Sequence, residues 1–239
     1  MKVIITGSTG LVGSALVREC IANAAITHVY VVARKELPSS VASSDKVTFF
    51  SLPDFGTWPP SLLSHVSDAD AVLWALGGRA NQFPDLATAT RVQVDFLQVA
   101  VSSLVGAAGA ARAPSKKLKV VFCSGVTAEQ DMTKKLYYLQ DTRRLKGQAE
   151  LVLYEAEQQR PDRIEAWSVR PSMVIPSDAG IAARALCALS SGIVADALAA
   201  AMVRIALGWE PVDSNEVQGA NKYDRGRIVE AGVLASLAR

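Results

Sequence analysis

Short β-branched apolar runs alternate along this chain with longer stretches whose apolar residues recur every three or four positions. That alternation predicts strands and helices in turn, and therefore a mainly parallel sheet with helices on its faces. The first run, Val3-Ile4-Ile5, predicts a central strand buried on both sides. Apolar spacing through Leu11, Ala15, Leu16 and Ile21 then predicts a helix. Further strands are expected at 28–35, 47–50, 70–78, 118–125 and 164–171, the last continuing toward Pro176. Long helices are expected over 85–109 and 133–159, with a turn through Gly109 and Pro114 between the first of them and the next strand. Leu37 to Asp45 reads as a Pro/Ser-rich loop. Two or three more helices are expected, at about 179–190, 195–207 and 224–237.

The first strand breaks into Gly7-Ser8-Thr9-Gly10-Leu11-Val12-Gly13 and a helix follows at once. A strand, a glycine turn and a helix N-terminus hold a dinucleotide pyrophosphate. The glycines allow a tight turn and close backbone approach, while free N–H groups and the helix dipole face the anion. Strand, turn and helix occur here in the required order, which raises the motif above an ordinary glycine-rich turn. The expected fold is a doubly wound parallel sheet of the Rossmann type. It forms one domain over 1–239, in which 172–239 supply a small helical cap on the substrate side.

Composition narrows the picture by exclusion. Half the residues are apolar and a fifth charged, so the chain can bury a sizeable core. A net charge of +2 without a basic stripe argues against nucleic acid as a partner. The apolar stretch 185–207 is interrupted by Ser190, Ser191, Gly192, Asp196 and Arg204, so no membrane span is expected. Cys20, Cys123 and Cys187 are too few and scattered for a disulfide framework or a metal site. With a core strand at the very start, no signal peptide is expected, and the cytoplasm is the expected compartment.

The second strand ends in Arg34 and Lys35, where NAD-selective folds place an acid for the ribose hydroxyls. Two cations there suit a 2′-phosphate, with Arg34 able to bond it through two N–H groups, so NADP(H) is the expected cofactor. The fourth strand ends in Ala75-Leu76-Gly77, small enough to let backbone approach the cofactor ribose and nicotinamide. The fifth delivers Ser124 to its carboxyl end, where open α/β sheets build their sites. As a plain turn or capping serine it would carry no chemistry.

These motifs together resemble the atypical short-chain dehydrogenases/reductases, in particular the small NAD(P)H-binding oxidoreductases related to the Tat-interacting protein. The resemblance rests on Thr6-Gly7-x-x-Gly10-x-x-Gly13, Arg34, Pro53-Asp54-Phe55, Ala75-Leu76-Gly77, Val94-Asp95, Cys123-Ser124, Lys146-Gly147-x-x-Glu150, Arg170-Pro171, Asp196-Ala197-x-x-Ala200-x-Met202 and Asn221-Lys222. It implies that Asp54 and Phe55 lie near the adenine, with a turn aspartate the equal alternative for Asp54. It also places Pro171 beside the cofactor.

The resemblance further implies a tyrosine and a lysine four residues apart on one helix, with a serine from the fifth strand. The lysine lowers the tyrosine pKa and holds the cofactor ribose, and the tyrosine exchanges a proton with the substrate oxygen. Lys146 is the lysine candidate, but Thr142 stands four residues before it. Tyr138 is eight before, which on a continuous helix separates the two by about 12 Å along the axis. Either the helix starts after Tyr138, or Thr142 orients a substrate oxygen without titrating, or redox chemistry is lost. The expected activity is NADP(H)-dependent oxidation or reduction of a small carbonyl or alcohol compound. A redox-neutral isomerase, dehydratase or cyclase and an NADP(H)-sensing scaffold are the alternatives.

Overall fold

The computed structural model describes residues 1–36, 43–111, 116–211 and 224–237. The expected turn at Pro114, most of the 37–45 loop and the Asn221-Lys222 pair lie outside these residues. A seven-stranded parallel sheet runs in the order β3-β2-β1-β4-β5-β6-β9. Its strands are β1 (Lys2–Thr6), β2 (His28–Ala33), β3 (Val47–Ser51), β4 (Ala71–Trp74), β5 (Leu118–Cys123), β6 (Ile164–Arg170) and β9 (Arg227–Glu230). Between β6 and β9 a separate pair, β7 (Val174–Ile175) and β8 (Ile193–Val194), forms a small parallel sheet.

Both faces of the large sheet are covered, which is why its central strands read as unbroken apolar runs. Side chains alternate between two cores with the period of two that a strand imposes. Val3, Ile5, Val29, Val31, Leu73 and Val121 face one core; Ile4, Val32, Val72, Trp74, Val120 and Phe122 face the other. The first core is closed by α1 (Leu11–Ala22), α7 (Ala195–Ala206) and α8 (Ala231–Leu237). The second is closed by α2 (Pro60–Val66), α4 (Phe96–Ala111) and α5 (Gln140–Gln159). The short helix α3 (Leu86–Thr90) joins α4 through a π-helical turn, Arg91–Asp95.

Four expectations need correction. The helix expected over 85–109 is interrupted by that π turn and runs on past Gly109 to Ala111. The helix expected over 133–159 begins only at Gln140, because Leu139 adopts φ +47° and cannot continue it. In place of a helix over 224–237, Arg227–Glu230 pairs in parallel with Trp167–Arg170, and the helix that follows is shorter. Ile228 and Val229 are buried there, and an unpaired β6 edge gains ladder partners. Finally, α7 lies in the layer with α1 rather than over the carboxyl edge, burying Leu198, Met202 and Val203. Among the described helices of the C-terminal tail, α6 (Ile181–Leu189) is the exposed one, with only Cys187 buried.

Among the described residues no helix is long and apolar enough to cross a membrane, and no cluster of metal-ligating side chains is present. Cys20, Cys123 and Cys187 are free thiols.

Candidate active site

The sheet order reverses between β1 and β4, and the crevice at that point is where open α/β sheets bind ligands. On one side stands the glycine turn. Gly7 takes φ +70°, a left-handed value that costs other residues about 1–2 kcal/mol. Side chains would also have no room: a Cβ on Gly7 would meet the Ala75 carbonyl at 2.5 Å, and one on Gly13 would overlap the Gly7 carbonyl. Gly10 donates its N–H to the Gly7 carbonyl at 2.9 Å and caps α1 without a side chain. The first turn of α1 carries no acid, so the N–H groups that every helix leaves unpaired there face no competing carboxylate. Thr6 Oγ1 and Ser8 Oγ are buried in the turn without a hydrogen-bond partner, and Thr9 and Leu11 are exposed.

Beyond the end of β2, Arg34 and Lys35 are both exposed. Asp54 serves a turn: its Oδ1 accepts from the Gly56 N–H at 2.9 Å, and its Oδ2 pairs with Arg91 at 2.8 Å. The Phe55 ring is sealed between Trp58, Trp74 and Phe96, at 6.0 Å between ring centres in each case. That leaves the Phe55 backbone to meet a ligand.

A cavity of about 530 Å³ opens where β4, β5 and β6 end, with Leu11, Arg79, Ser124, Tyr138, Thr142, Lys146 and Pro171 among its lining residues. Leu11 belongs to the glycine turn as well, so turn and cavity form one continuous surface. The chain from Ala75 to Gly78 runs between them. At Gly77, φ is +142°, and a Cβ would lie 3.5 Å from Lys146 Nζ.

Lys146 is aimed by two contacts. Its Nζ donates to the Cys123 carbonyl at 3.0 Å and lies 5.0 Å from the centre of the Phe122 ring. Burial lowers its pKa below the ordinary 10.5, with Cys123 and Glu150 opposing the shift. In the folded protein Lys146 therefore releases its proton at a lower pH than in the unfolded chain. The unfolded state binds more protons between those two values, so this residue's contribution to stability rises with pH across that window. We expect Lys146→Met, which keeps the packed stem and removes the buried charge, to raise the thermal midpoint near neutral pH. Its advantage over the parent should shrink as pH climbs through the window, in melts recorded from pH 7 to 10.5.

Thr142 and Tyr138 receive different roles. The Thr142 hydroxyl accepts from the Ala80 N–H at 2.9 Å, so it pins the loop after β4 while lining the cavity. Tyr138 precedes α5, is exposed, and reaches the cavity rim from the loop. The eight-residue separation from Lys146 is thus bridged by a chain that is not helical at its start. The loop holding Tyr138 lies against α5 at Gly147, where a Cβ would overlap the Glu129 carbonyl. Arg143 Nε also donates to the Thr127 carbonyl at 2.9 Å.

Gln93 joins the site without any motif to announce it. Its amide is buried, neither its oxygen nor its nitrogen finds a partner, and it faces Gly77 beside Lys146. The π turn that turns it inward has no local sequence signature, although such turns recur at functional sites. The remaining signal in the sequence was an amide in mid-helix.

No protein-family model matches the chain, and no curated protein matches it. Solved structures do. A 3-oxoacyl-[acyl-carrier protein] reductase from Brucella melitensis in complex with NAD is similar with a TM-score of 0.69 at 16% identity, over 99% of this chain and 96% of that one. An oxidoreductase of the short-chain dehydrogenase/reductase family from Burkholderia thailandensis gives 0.66 at 16%, over 98% and 92%. A UDP-glucuronic acid 4-epimerase from Bacillus cereus, in complex with UDP-glucuronic acid and NAD, gives 0.64 at 16%, over 97% and 77%. At such identities the likeness shows the fold. It is a Rossmann-type α/β sheet.

Proposed function

We propose that this chain is an NADP(H)-dependent oxidoreductase acting on the carbonyl or alcohol of a small organic molecule. The observation that carries the reading is one continuous surface, from a glycine turn with no room for a side chain at Gly7 or Gly13 to a cavity holding Ser124 and Lys146. The turn is a cradle that a Cβ would fill, and its fit to a pyrophosphate is supported by the acid-free first turn of α1. Backbone N–H groups of 7–13 would hold the pyrophosphate, with Arg34 and Lys35 taking the 2′-phosphate. The backbone of Asp54 and Phe55 would border the adenine. Ala75, Leu76, Gly77 and Pro171 would flank the nicotinamide riboside, with Lys146 and Gln93 bonding its hydroxyls.

The cofactor, when bound, supplies or accepts a hydride. Ser124 and Tyr138 would face the substrate, and Thr142 would keep the Gly78–Ala80 loop in place. Three of the similar solved structures are described as complexes with NAD, which supports a nicotinamide dinucleotide here. The motifs around Lys146 and Arg170 support the atypical short-chain dehydrogenase/reductase branch, and the cytoplasm is the compartment we propose.

Paired fluorescence titrations with NADPH and NADH test the phosphate reading. We expect NADPH to bind at least about tenfold more tightly, as one charge-assisted bond allows. Arg34→Ala should remove most of that preference while leaving NADH affinity unchanged. Equal loss for both cofactors, or no loss, would overturn the role given to Arg34.

A further inference from the structure

The serine at the end of β5 has already committed its proton within the protein. Ser124 Oγ donates to Glu150 Oε1 at 2.6 Å, in the short range of charge-assisted bonds. The direction of that bond follows from the other groups around the carboxylate. Arg170 Nε donates to Oε1 at 2.8 Å and Arg170 Nη2 to Oε2 at 2.6 Å. Gln130 Nε2 donates to Oε2 at 2.9 Å, and its amide cannot turn over, because Gln130 Oε1 accepts from the Arg225 N–H at 2.7 Å. Arginine and amide nitrogens only donate. Glu150 is therefore the acceptor in each of these bonds, and Ser124, Glu150 and Arg170 are all buried.

A hydroxyl has one proton and two lone pairs. With the proton given to Glu150, Ser124 has only lone pairs left for the cavity that it lines. We infer that Ser124 serves this cavity as a hydrogen-bond acceptor, held so by Glu150 as a positioning residue, and that the substrate group seated against it is an O–H or N–H donor. In the terms of the oxidoreductase reading, on which this rests, the site binds the alcohol of its substrate pair in preference to the carbonyl. A carbonyl oxygen at that position would meet lone pairs and leave both groups unsatisfied, whereas an alcohol donates to Ser124 directly. The donor toward a substrate oxygen must then come from another lining group, such as Tyr138, Lys146 or Thr142, whose hydroxyl accepts from Ala80 and keeps its own proton.

The probes are cyclohexanol and cyclohexanone, which match in size and differ in this one hydrogen. Each is titrated by ligand-observed NMR into the whole protein saturated with NADP⁺, and into Ser124→Ala treated in the same way. The parent should bind the alcohol about tenfold more tightly than the ketone, and the ratio should fall to near one in the variant. Ser124→Ala leaves the Arg170 and Gln130 bonds to Glu150 in place, and a thermal melt checks that it folds. Equal or tighter ketone binding by the parent overturns the inference, as does failure of the alcohol to bind, and the parent comparison stands without the variant. Where NADP⁺ itself does not bind, the cofactor reading falls and this inference with it. Where NADP⁺ binds and the alcohol is not preferred, only the inference falls.

Discussion

Arg170→Met should lower the thermal midpoint by about 10 °C. Arg170 is buried at the carboxyl end of β6, where it ties the sheet's last internal strand to α5 and to its edge. It donates to Glu150 through two nitrogens and to Asp224 at 2.7 Å, and pairs with Glu230 at 3.4 Å. Burial opposes its charge, but the bonds to Glu150 and Asp224 outweigh that and raise its pKa above the ordinary arginine value. Methionine fills much of the volume and removes the cation, so the buried Glu150 carboxylate loses its counter-charge. Breaking a buried pair from one side costs roughly 3–5 kcal/mol. For a chain of this length each kcal/mol moves the midpoint by about 2–4 °C. A differential scanning calorimetry midpoint within 2 °C of the parent, at about the precision of the comparison, would mean that the network contributes no stability.

Gly13→Val should abolish nucleotide binding, with affinity falling at least about a hundredfold, while Gly10→Ala should be tolerated within a few-fold. The contrast follows from where each Cβ would lie. On Gly13 it overlaps the Gly7 carbonyl and also crowds the Ser8 nitrogen at 2.8 Å, so turn and helix must separate. On Gly10 the nearest atom, the Gly7 carbonyl oxygen, is 3.3 Å away, and a small adjustment accommodates it. Since Gly10 takes φ −87°, alanine meets no backbone strain there. Fluorescence titration with NADPH reads both variants. Similar losses for the two would mean that composition, and not the packing of Gly13 on Gly7, matters in this turn.

The sheet was legible in the sequence because strands buried on both faces must be apolar throughout, as at Val3-Ile4-Ile5 and Val120-Val121-Phe122. The glycine turn was legible because a left-handed φ and absent side-chain room both demand glycine. What stayed hidden depends on contacts distant in sequence or on unusual backbone. The strand Arg227–Glu230 is four residues long and is defined by its partner β6. The start of α5 is set by left-handed Leu139, a residue with no preference for that conformation. Gln93 enters the site through a π turn, and the commitment of Ser124 depends on Glu150, 26 residues later. Phe55 was placed by motif beside the adenine, and its ring is taken up by an aromatic core whose partners lie on other elements.

The central claim is that the glycine turn and its cavity hold a nicotinamide dinucleotide, and calorimetric titration of the intact protein with NADPH tests it most directly. The account predicts saturable one-to-one binding, retained in Gly10→Ala and lost in Gly13→Val. No heat of binding from the parent protein, or equal binding by the Gly13→Val variant, would contradict it.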